Sequence, residues 1–165
     1  MNPKRQIHEP GHQRKFMVIV DETPECDRAV YYASRRAART GSGVVMLGIL
    51  ELEDVRQQWL GVADLMRAEA TEAMQERIDH FAARARHISG VAAEGVIREG
   101  TKAEAILSLI AEDRDIAVLV LAAGTGSEGP GPLVGFLAGP ASARFPIPVT
   151  IVPGALSDEE LDALA

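Results

Sequence analysis

Five apolar segments, separated by stretches of helical periodicity, constrain the fold of this chain most strongly. They are Phe16–Val20, Val44–Leu50, Val91–Ile97, Ile116–Leu121 and Val149–Val152. Most are continuous apolar runs, which is typical of strands covered on both faces of a parallel sheet. Strands of this kind are joined by right-handed crossovers through helices. The pattern therefore predicts an α/β fold, a doubly wound five-stranded parallel sheet with helices on both faces.

Two of the connecting segments carry clear helix boundaries. After the first apolar run, Thr23 is a candidate N-cap and Pro24 suits the first helical position. This helix is predicted to end at Thr40, before the sequence Gly-Ser-Gly. Residues Lys102–Glu112 place their large aliphatic side chains at helical spacing and predict another helix.

The longest helical pattern runs from Leu52 to Ala85. Gly61 is a candidate break near its start, because glycine weakens a helix interior. One face of this helix is predicted to be buried as part of the core. That face comprises Leu52, Val55, Trp59, Val62, Met66, Ala70, Met74, Ile78, Phe81 and Ala85.

The charge of the chain is acidic and unevenly distributed. The net charge is −7, although residues 1–15 carry four basic residues against one acidic residue. An acidic body repels phosphate backbones, so nucleic-acid binding is not expected. The sequence predicts a disordered basic tail over residues 1–14, one domain over 15–154 and an acidic C-terminal tail over 155–165.

Cysteine content and hydropathy indicate the compartment. Cys26 is the only cysteine, so the chain has no internal disulfide and suits a reducing compartment. Two acidic neighbours disfavour a thiolate, and Cys26 is interpreted as structural. The first apolar run has only five residues, too few for a signal sequence or a membrane span. The expected location is the cytoplasm.

A glycine-rich loop follows the fourth predicted strand, at the edge where doubly wound sheets bind ligands. Gly124–Gly129 matches the pattern G-x-G-x-x-G of dinucleotide-binding sites. In those sites a helix opens on the glycines, and Pro130-Gly131-Pro132 prevents a helix from starting there. A nicotinamide dinucleotide site is therefore not expected.

A second glycine spacing in the same loop fits a different family. Gly126, Gly129 and Gly139 give the pattern G-x2-G-x9-G. With this spacing the chain resembles the universal stress protein family, in which the pattern is the ATP-binding signature. Asp21-Glu22-Thr23 at the end of the first strand is similar to the Asp-x-Ser/Thr of that family. Gly100–Ile106 and Asp115 also resemble family landmarks, so the resemblance covers about residues 15 to 154.

The resemblance implies a Rossmann-like, adenine-nucleotide α-hydrolase-like fold with a ligand crevice, most often in a homodimer. The implied ligand is ATP or a related adenine nucleotide, with or without Mg²⁺. Asp21 would face the adenine, backbone at Ile49 would meet the base edge, and the glycines would line the phosphates. The implied binding residues are Asp21, Ile49, Gly126, Gly129, Gly139 and Ser142.

Three departures from the family pattern count against ATP. Pro140 replaces the Ser or Thr that follows the last glycine, which removes a hydroxyl and an N–H donor. Glu128 lies inside the motif, and no Lys or Arg occurs between Leu121 and Ala143. The segment between Ser142 and Pro148 is also short, which predicts a truncated final helix. An empty crevice under a flexible loop therefore stays open as the alternative.

No arrangement of a nucleophile, a base and an orienting group is visible, so catalysis is not expected. His80 and His87 lie seven residues apart, too far to share one metal ion. The leading hypothesis is a nucleotide-binding stress-response protein that acts through ligand-dependent partner interaction. A dimeric interaction module without nucleotide is the main alternative, and a weak ATP-hydrolysing enzyme is a third. Val149–Val152 is the predicted dimerisation strand, because an exposed sheet edge invites pairing.

Overall fold

A computed structural model describes residues 2–52 and 60–165 of the chain. Its described residues form one parallel sheet of five strands in the order β3-β2-β1-β4-β5. The strands are β1 (Lys15–Val20), β2 (Gly43–Leu50), β3 (Ala93–Glu99), β4 (Ile116–Ala123) and β5 (Val149–Pro153). The predicted fold class is confirmed.

Helices cover both faces of the sheet, as the apolar strands require. They are α1 (Cys26–Thr40), α2 (Leu60–Ser89), α3 (Lys102–Glu112), α4 (Pro132–Ala138) and α5 (Asp158–Leu164). One apolar core lies between the sheet and α1, α2 and α5, and the other lies between the sheet and α3 and α4. A short 3₁₀ helix, Pro140–Arg144, lies between α4 and β5, where the sequence predicts a truncated helix. Helix α4 begins at Pro132, although Pro130-Gly131-Pro132 was expected to block a helix, because proline is tolerated at the first helical position. Among the described residues, no helix has the length and apolar composition needed to cross a membrane.

Helix α2 packs closely on β2 and β3 because both strands offer a glycine. A Cβ atom on Gly48 would lie 2.4 Å from Cγ of Met74, and one on Gly95 would lie 2.7 Å from Cγ2 of Ile78. Met74 and Ile78 are accordingly buried, as predicted. Val55 and Trp59, which the prediction placed on the same face, lie outside the described residues.

The first turns of α2 differ from the predicted buried face. Gly61 is the second residue of α2, and Val62 and Met66 are 48% and 39% exposed. Arg67 pairs with Glu99, the last residue of β3, with its Nε 3.1 Å from a carboxylate oxygen. Val62 and Met66, which precede Arg67 on α2, therefore lie near the carboxyl ends of the strands with side chains that the described sheet does not cover.

The start of α1 is also different from the prediction. Thr23 does not cap the helix, because its backbone N–H and its hydroxyl both donate to Oδ1 of Asp21, at 2.9 and 2.5 Å. Glu25 occupies the N-cap position without a side-chain bond to the helix, and α1 begins at Cys26. The carboxylate of Asp21 thus holds the turn that follows β1.

The N-terminal segment, predicted to be disordered, contacts the end of α3 and the start of β4. The guanidinium group of Arg5 donates to the carbonyl groups of Ile110, Asp113 and Ile116, at 2.7, 3.1 and 3.1 Å. Nδ1 of His12 lies 2.8 Å from Oδ1 of Asp115. These long-range partners are not evident from a polar sequence.

The acidic C-terminal segment, predicted to be a tail, forms α5 against α1. Ser157 and Glu160 make a capping box at its start, and Leu161 is fully buried. Arg35 and Arg39 of α1 both pair with Asp162, each at 2.9 Å. The acidic residue Asp162 of α5 therefore attaches this helix to the basic side chains of α1.

Candidate functional site

The strand order reverses between β1 and β4, at the centre of the sheet. From β1 the chain continues toward β2, and from β4 it continues toward β5 on the other side. The connections leave the carboxyl ends of these two strands in opposite directions, so a crevice opens between them. Asp21 follows β1 and Gly124 follows β4, which brings the two predicted ligand-binding segments to the same edge.

An open crevice of about 740 Å³ lies at this edge. Its walls are the turn after β1, the glycine loop after β4 and Gly154 after β5. Cavities that hold small-molecule ligands usually measure ~300–1,000 Å³. A smaller hollow of about 70 Å³ lies beside it, lined by Asp21 and Lys102 among others. Both share Thr23 and Glu25, so the two hollows form one region at the reversal point.

Gly126 and Gly129 line the crevice, and their α-carbons face open space. A Cβ atom on either would meet no atom within 4 Å. Gly129 has a φ of +91°, a conformation that side chains other than glycine rarely adopt, whereas Gly126 has no such requirement. Glycine at position 126 therefore serves no packing function among the described residues and leaves room for a ligand against the backbone.

The loop also uses several of its own N–H groups. The N–H of Gly124 donates to the carbonyl of Pro130 at 3.0 Å, and the N–H of Gly129 donates to that of Gly126 at 3.2 Å. A backbone cradle for a phosphate needs N–H groups that point at the ligand. These two groups are already bonded, which reduces the number of donors that the loop offers to a polyphosphate.

Gly139 and Ser142, which the family resemblance assigned to the same site, lie beyond α4 and do not line the crevice. The N–H of Gly139 donates to Phe136 at 3.4 Å, and that of Ser142 donates to Gly139 at 3.0 Å. The 3₁₀ helix that contains Ser142 instead borders an apolar hollow of about 230 Å³ between α3 and α4. Of the four loop residues predicted to bind the nucleotide, the structure places Gly126 and Gly129 on the crevice and Gly139 and Ser142 away from it.

Asp21 and Ile49 lie side by side at the ends of adjacent strands. The register pairs Val20 with Gly48, so the next residues on each strand, Asp21 and Ile49, are at the same level. Asp21 is half-buried, with Oδ1 bound to Thr23. The role of Ile49 at the edge of a base stays a prediction.

Carboxylates dominate the crevice beside the glycine loop. Glu25, Asp27 and Glu128 line it, and Arg28 is the basic residue that lines it among the described residues. Oε1 of Glu25 lies 3.2 Å from the position that a Cβ atom on Gly124 would take. The sequence analysis identified Glu128 but missed Glu25, although its place directly after Thr23-Pro24 at the end of a strand was a usable signal.

Arg28 is held by acidic partners. Its guanidinium group lies 2.5 Å from Oδ2 of Asp27 and 2.5 Å from Oδ1 of Asp158, and it donates to the carbonyl of Leu156 at 2.8 Å. Burial opposes ionisation of Asp27, but hydrogen bonds from Arg84 and Arg28 outweigh it and lower the pKa of Asp27. The charge of Arg28 is therefore largely neutralised by residues of α1 and α5.

The described residues offer no reactive thiol and no metal centre in this region. Burial raises the pKa of the Cys26 thiol to about 12, and its Sγ donates to the carbonyl of Ile19 at 3.6 Å. A thiol with this pKa is almost fully protonated at neutral pH, which agrees with a structural role. Within residues 2–52 and 60–165, no group of three or more His, Cys, Asp or Glu side chains could hold a metal ion.

Comparison with known proteins identifies the family. The model of the universal stress protein family matches residues 13–153, so this chain belongs to that family. No functionally curated protein gives a significant match.

Solved structures with the same fold are similar at low sequence identity. A universal stress protein family protein from Burkholderia pseudomallei has a TM-score of 0.64 at 19% identity, covering 84% of this chain and 95% of that one. The Archaeoglobus fulgidus universal stress protein in complex with dAMP has a TM-score of 0.58 at 16% identity, covering 84% and 97%. An Arabidopsis thaliana family member with AMP bound has a TM-score of 0.56 at 19% identity, covering 88% and 94%. At these identities the likeness shows the fold.

Proposed function

We propose that this protein binds an adenine nucleotide in the crevice between β1 and β4 and acts without catalysis in the stress response. The observation that carries the proposal is Gly126, an open glycine that no packing contact among the described residues requires. It lines the crevice at the edge where the strand order reverses, and Asp21 lines the smaller hollow that adjoins this crevice. Family membership and the relatives crystallised with AMP and dAMP support the same ligand class.

The residues of the crevice fit a nucleotide with one phosphate group better than ATP. Glu25 and Glu128 repel each added phosphate charge, and Arg28 is already paired with Asp27 and Asp158. At 4 Å, one such charge pair costs about 1 kcal/mol in water and about 4 kcal/mol at an effective dielectric constant of 20. The hydroxyl groups of Thr125 and Ser127 line the crevice and are neutral partners for a phosphate. We therefore expect AMP to bind more tightly than ATP.

Arg28 connects ligand binding in the crevice with the position of α5. It lines the crevice and also holds Asp158 at the start of α5. A phosphate near Arg28 competes with Asp158 for the same guanidinium group, since its N–H donors cannot make ideal hydrogen bonds to both anions at once. Nucleotide binding would then weaken the attachment of α5 to α1 and change the surface that partners meet.

The decisive variant is Gly126→Val. Its side chain would occupy the open space beside the glycine loop, and no positive φ forbids the substitution. We expect at least tenfold weaker AMP binding with an unchanged melting temperature. Calorimetric titration of AMP and ATP, with and without Mg²⁺, measures this, and native mass spectrometry of the purified protein reports any nucleotide that co-purifies.

Gly135→Val is the matched control, because an added Cβ at Gly135 also meets no atom within 4 Å but lies on α4 outside the crevice. It should leave AMP binding intact. If the wild-type protein binds neither AMP nor ATP, or if both valine variants bind as the wild type does, the nucleotide proposal fails. The interaction module without a nucleotide would then be the better description.

Homodimerisation through β5 belongs to the same proposal. Among the described residues β5 pairs only with β4, so none of them covers its other edge, and Ile151 on it is 38% exposed. We expect light scattering to report a dimer at micromolar concentration. Ile151→Lys should shift it to a monomer, because a lysine on an edge strand opposes pairing.

Leu107→Lys is the control for the dimer, since Leu107 is 44% exposed on α3, away from the β5 edge. This variant should keep the size of the wild type. A strictly monomeric wild-type protein would contradict the dimer, and so would equal dissociation of both variants.

A further inference from the structure

A second open hollow lies at the opposite end of the sheet, where the strands begin. Its floor is formed by Phe16 near the start of β1, Ala117 and Val118 near the start of β4, and Pro148 and Thr150 around the start of β5. Helix α1 and the N-terminal segment form its walls. The hollow measures about 490 Å³.

Arg14 and Arg36 supply its charge. Among the described residues neither guanidinium group lies within 4.0 Å of a carboxylate, and no Asp or Glu of that part of the chain lines the hollow. By contrast, Arg35 and Arg39, the neighbours of Arg36 on α1, both pair with Asp162. Two uncompensated arginines at one hollow are unexpected in a chain with a net charge of −7.

The rest of the lining combines apolar and hydroxyl groups. Ile7, Phe16, Val118 and Pro148 supply apolar surface, and hydroxyl groups come from Tyr32, Thr40 and Thr150. The Thr40 hydroxyl donates to the carbonyl of Arg36 at 2.8 Å, and its oxygen lies 2.8 Å from the hydroxyl oxygen of Ser42, so this hydroxyl is already bonded within the chain. An apolar floor beneath two guanidinium groups suits a ligand with an apolar body and an anionic head.

We propose that this hollow is a binding site for a small organic carboxylate with an aromatic or aliphatic body. Guanidinium groups bind carboxylates through paired N–H donors, and burial of an apolar body adds affinity that an inorganic anion lacks. The volume lies within the range of ~300–1,000 Å³ that is usual for small-molecule sites. We do not expect the ligand to be a nucleotide, because among the described residues no glycine loop lines the hollow.

This site is separate from the nucleotide crevice. The crevice lies at the carboxyl ends of the strands and the hollow lies at their amino ends. The six residues of β1 span about 20 Å, at ~3.3 Å per residue. The two sites can therefore be tested independently, and the failure of one does not decide the other.

The experiment uses 2-naphthoate as the probe in calorimetric titrations of the full chain. We expect saturable binding with one molecule per chain. The double variant Arg14→Gln/Arg36→Gln should weaken it at least tenfold, and the neutral analogue 2-naphthamide should bind the wild type at least tenfold more weakly. AMP affinity should be the same in the wild type and the double variant.

Arg86→Gln/Arg144→Gln is the control, because it makes the same change in net charge elsewhere. Arg144 lines the apolar hollow between α3 and α4, so this control also tests whether the probe binds there. Its affinity for 2-naphthoate should equal that of the wild type. Arg14→Lys/Arg36→Lys keeps the charge without the paired donors and should fall between the wild type and the glutamine variant. Absence of saturable binding in the wild type, or equal losses in the two glutamine variants, would overturn the proposal.

Discussion

Replacing Glu25 and Glu128 by glutamine is expected to raise the affinity for ATP at least tenfold and the affinity for AMP by a smaller factor. Both carboxylates line the crevice beside the glycine loop. A gain of about 1.4 kcal/mol corresponds to tenfold, and removing two repulsive charges at about 1 kcal/mol or more per charge pair exceeds it. ATP gains more because it carries more phosphate charge than AMP. Parallel titrations of both nucleotides with the wild type and the double variant measure the effect.

The matched control is Glu69→Gln/Glu72→Gln, two exposed positions on α2 that change the net charge equally. An equal rise in ATP affinity with this control would attribute the effect to the overall charge of the chain. An unchanged ATP affinity in the Glu25/Glu128 variant would show that the carboxylates do not face the phosphates. Either result would contradict the preference for a nucleotide with one phosphate group.

The fold was predictable from the sequence because each buried strand is a nearly continuous apolar run. Parallel strands covered on both faces have no polar face, so Ile116–Leu121 could not be confused with an exposed strand. Helix α3 was predicted with its observed bounds, Lys102–Glu112, and the structure adds the Thr101 side chain that caps it. In these segments the local sequence pattern and the packing in the folded sheet favour the same strand or helix.

The two ends of the chain were harder to predict because their contacts are long-range. The pattern Ser157-x-x-Glu160 is a capping box, a local signal that the sequence analysis did not use. The burial of Leu161 against α1, by contrast, depends on a partner more than 100 residues away. The same holds for three carbonyl partners of Arg5, which lie beyond residue 109.

The position of the site was predicted from the sequence, but the distribution of charge in it was not. Strand ends identified Asp21 and the glycine loop, because carboxyl ends of parallel strands meet at one edge. The pairing of Arg28 with Asp158 depends on α5, so the sequence could not show that the charge of Arg28 is neutralised. Gly154 was missed for a similar reason, since its contact with β4 exists only in the folded sheet.

Gly154→Ala is expected to be strongly destabilising and to weaken nucleotide binding as well. A Cβ atom on Gly154 would lie 2.2 Å from the carbonyl oxygen of Ala123, which is backbone at the end of β4. A backbone oxygen cannot rotate away as a side chain can, so the chain after β5 must move from β4. Overpacking of this kind costs about 3 kcal/mol. For a chain of this size, that is a fall of roughly 6–12 °C in Tm.

The displacement should also reach the ligand, because Gly154 lines the crevice. AMP affinity should therefore fall together with stability, which urea unfolding and AMP titration of the same preparation can compare. Gly126→Ala is the control, since its added methyl group meets no atom within 4 Å and should leave the free energy of unfolding unchanged. If Gly154→Ala were as stable as Gly126→Ala, β5 would not approach β4 as closely as described, and the crevice would have a different wall.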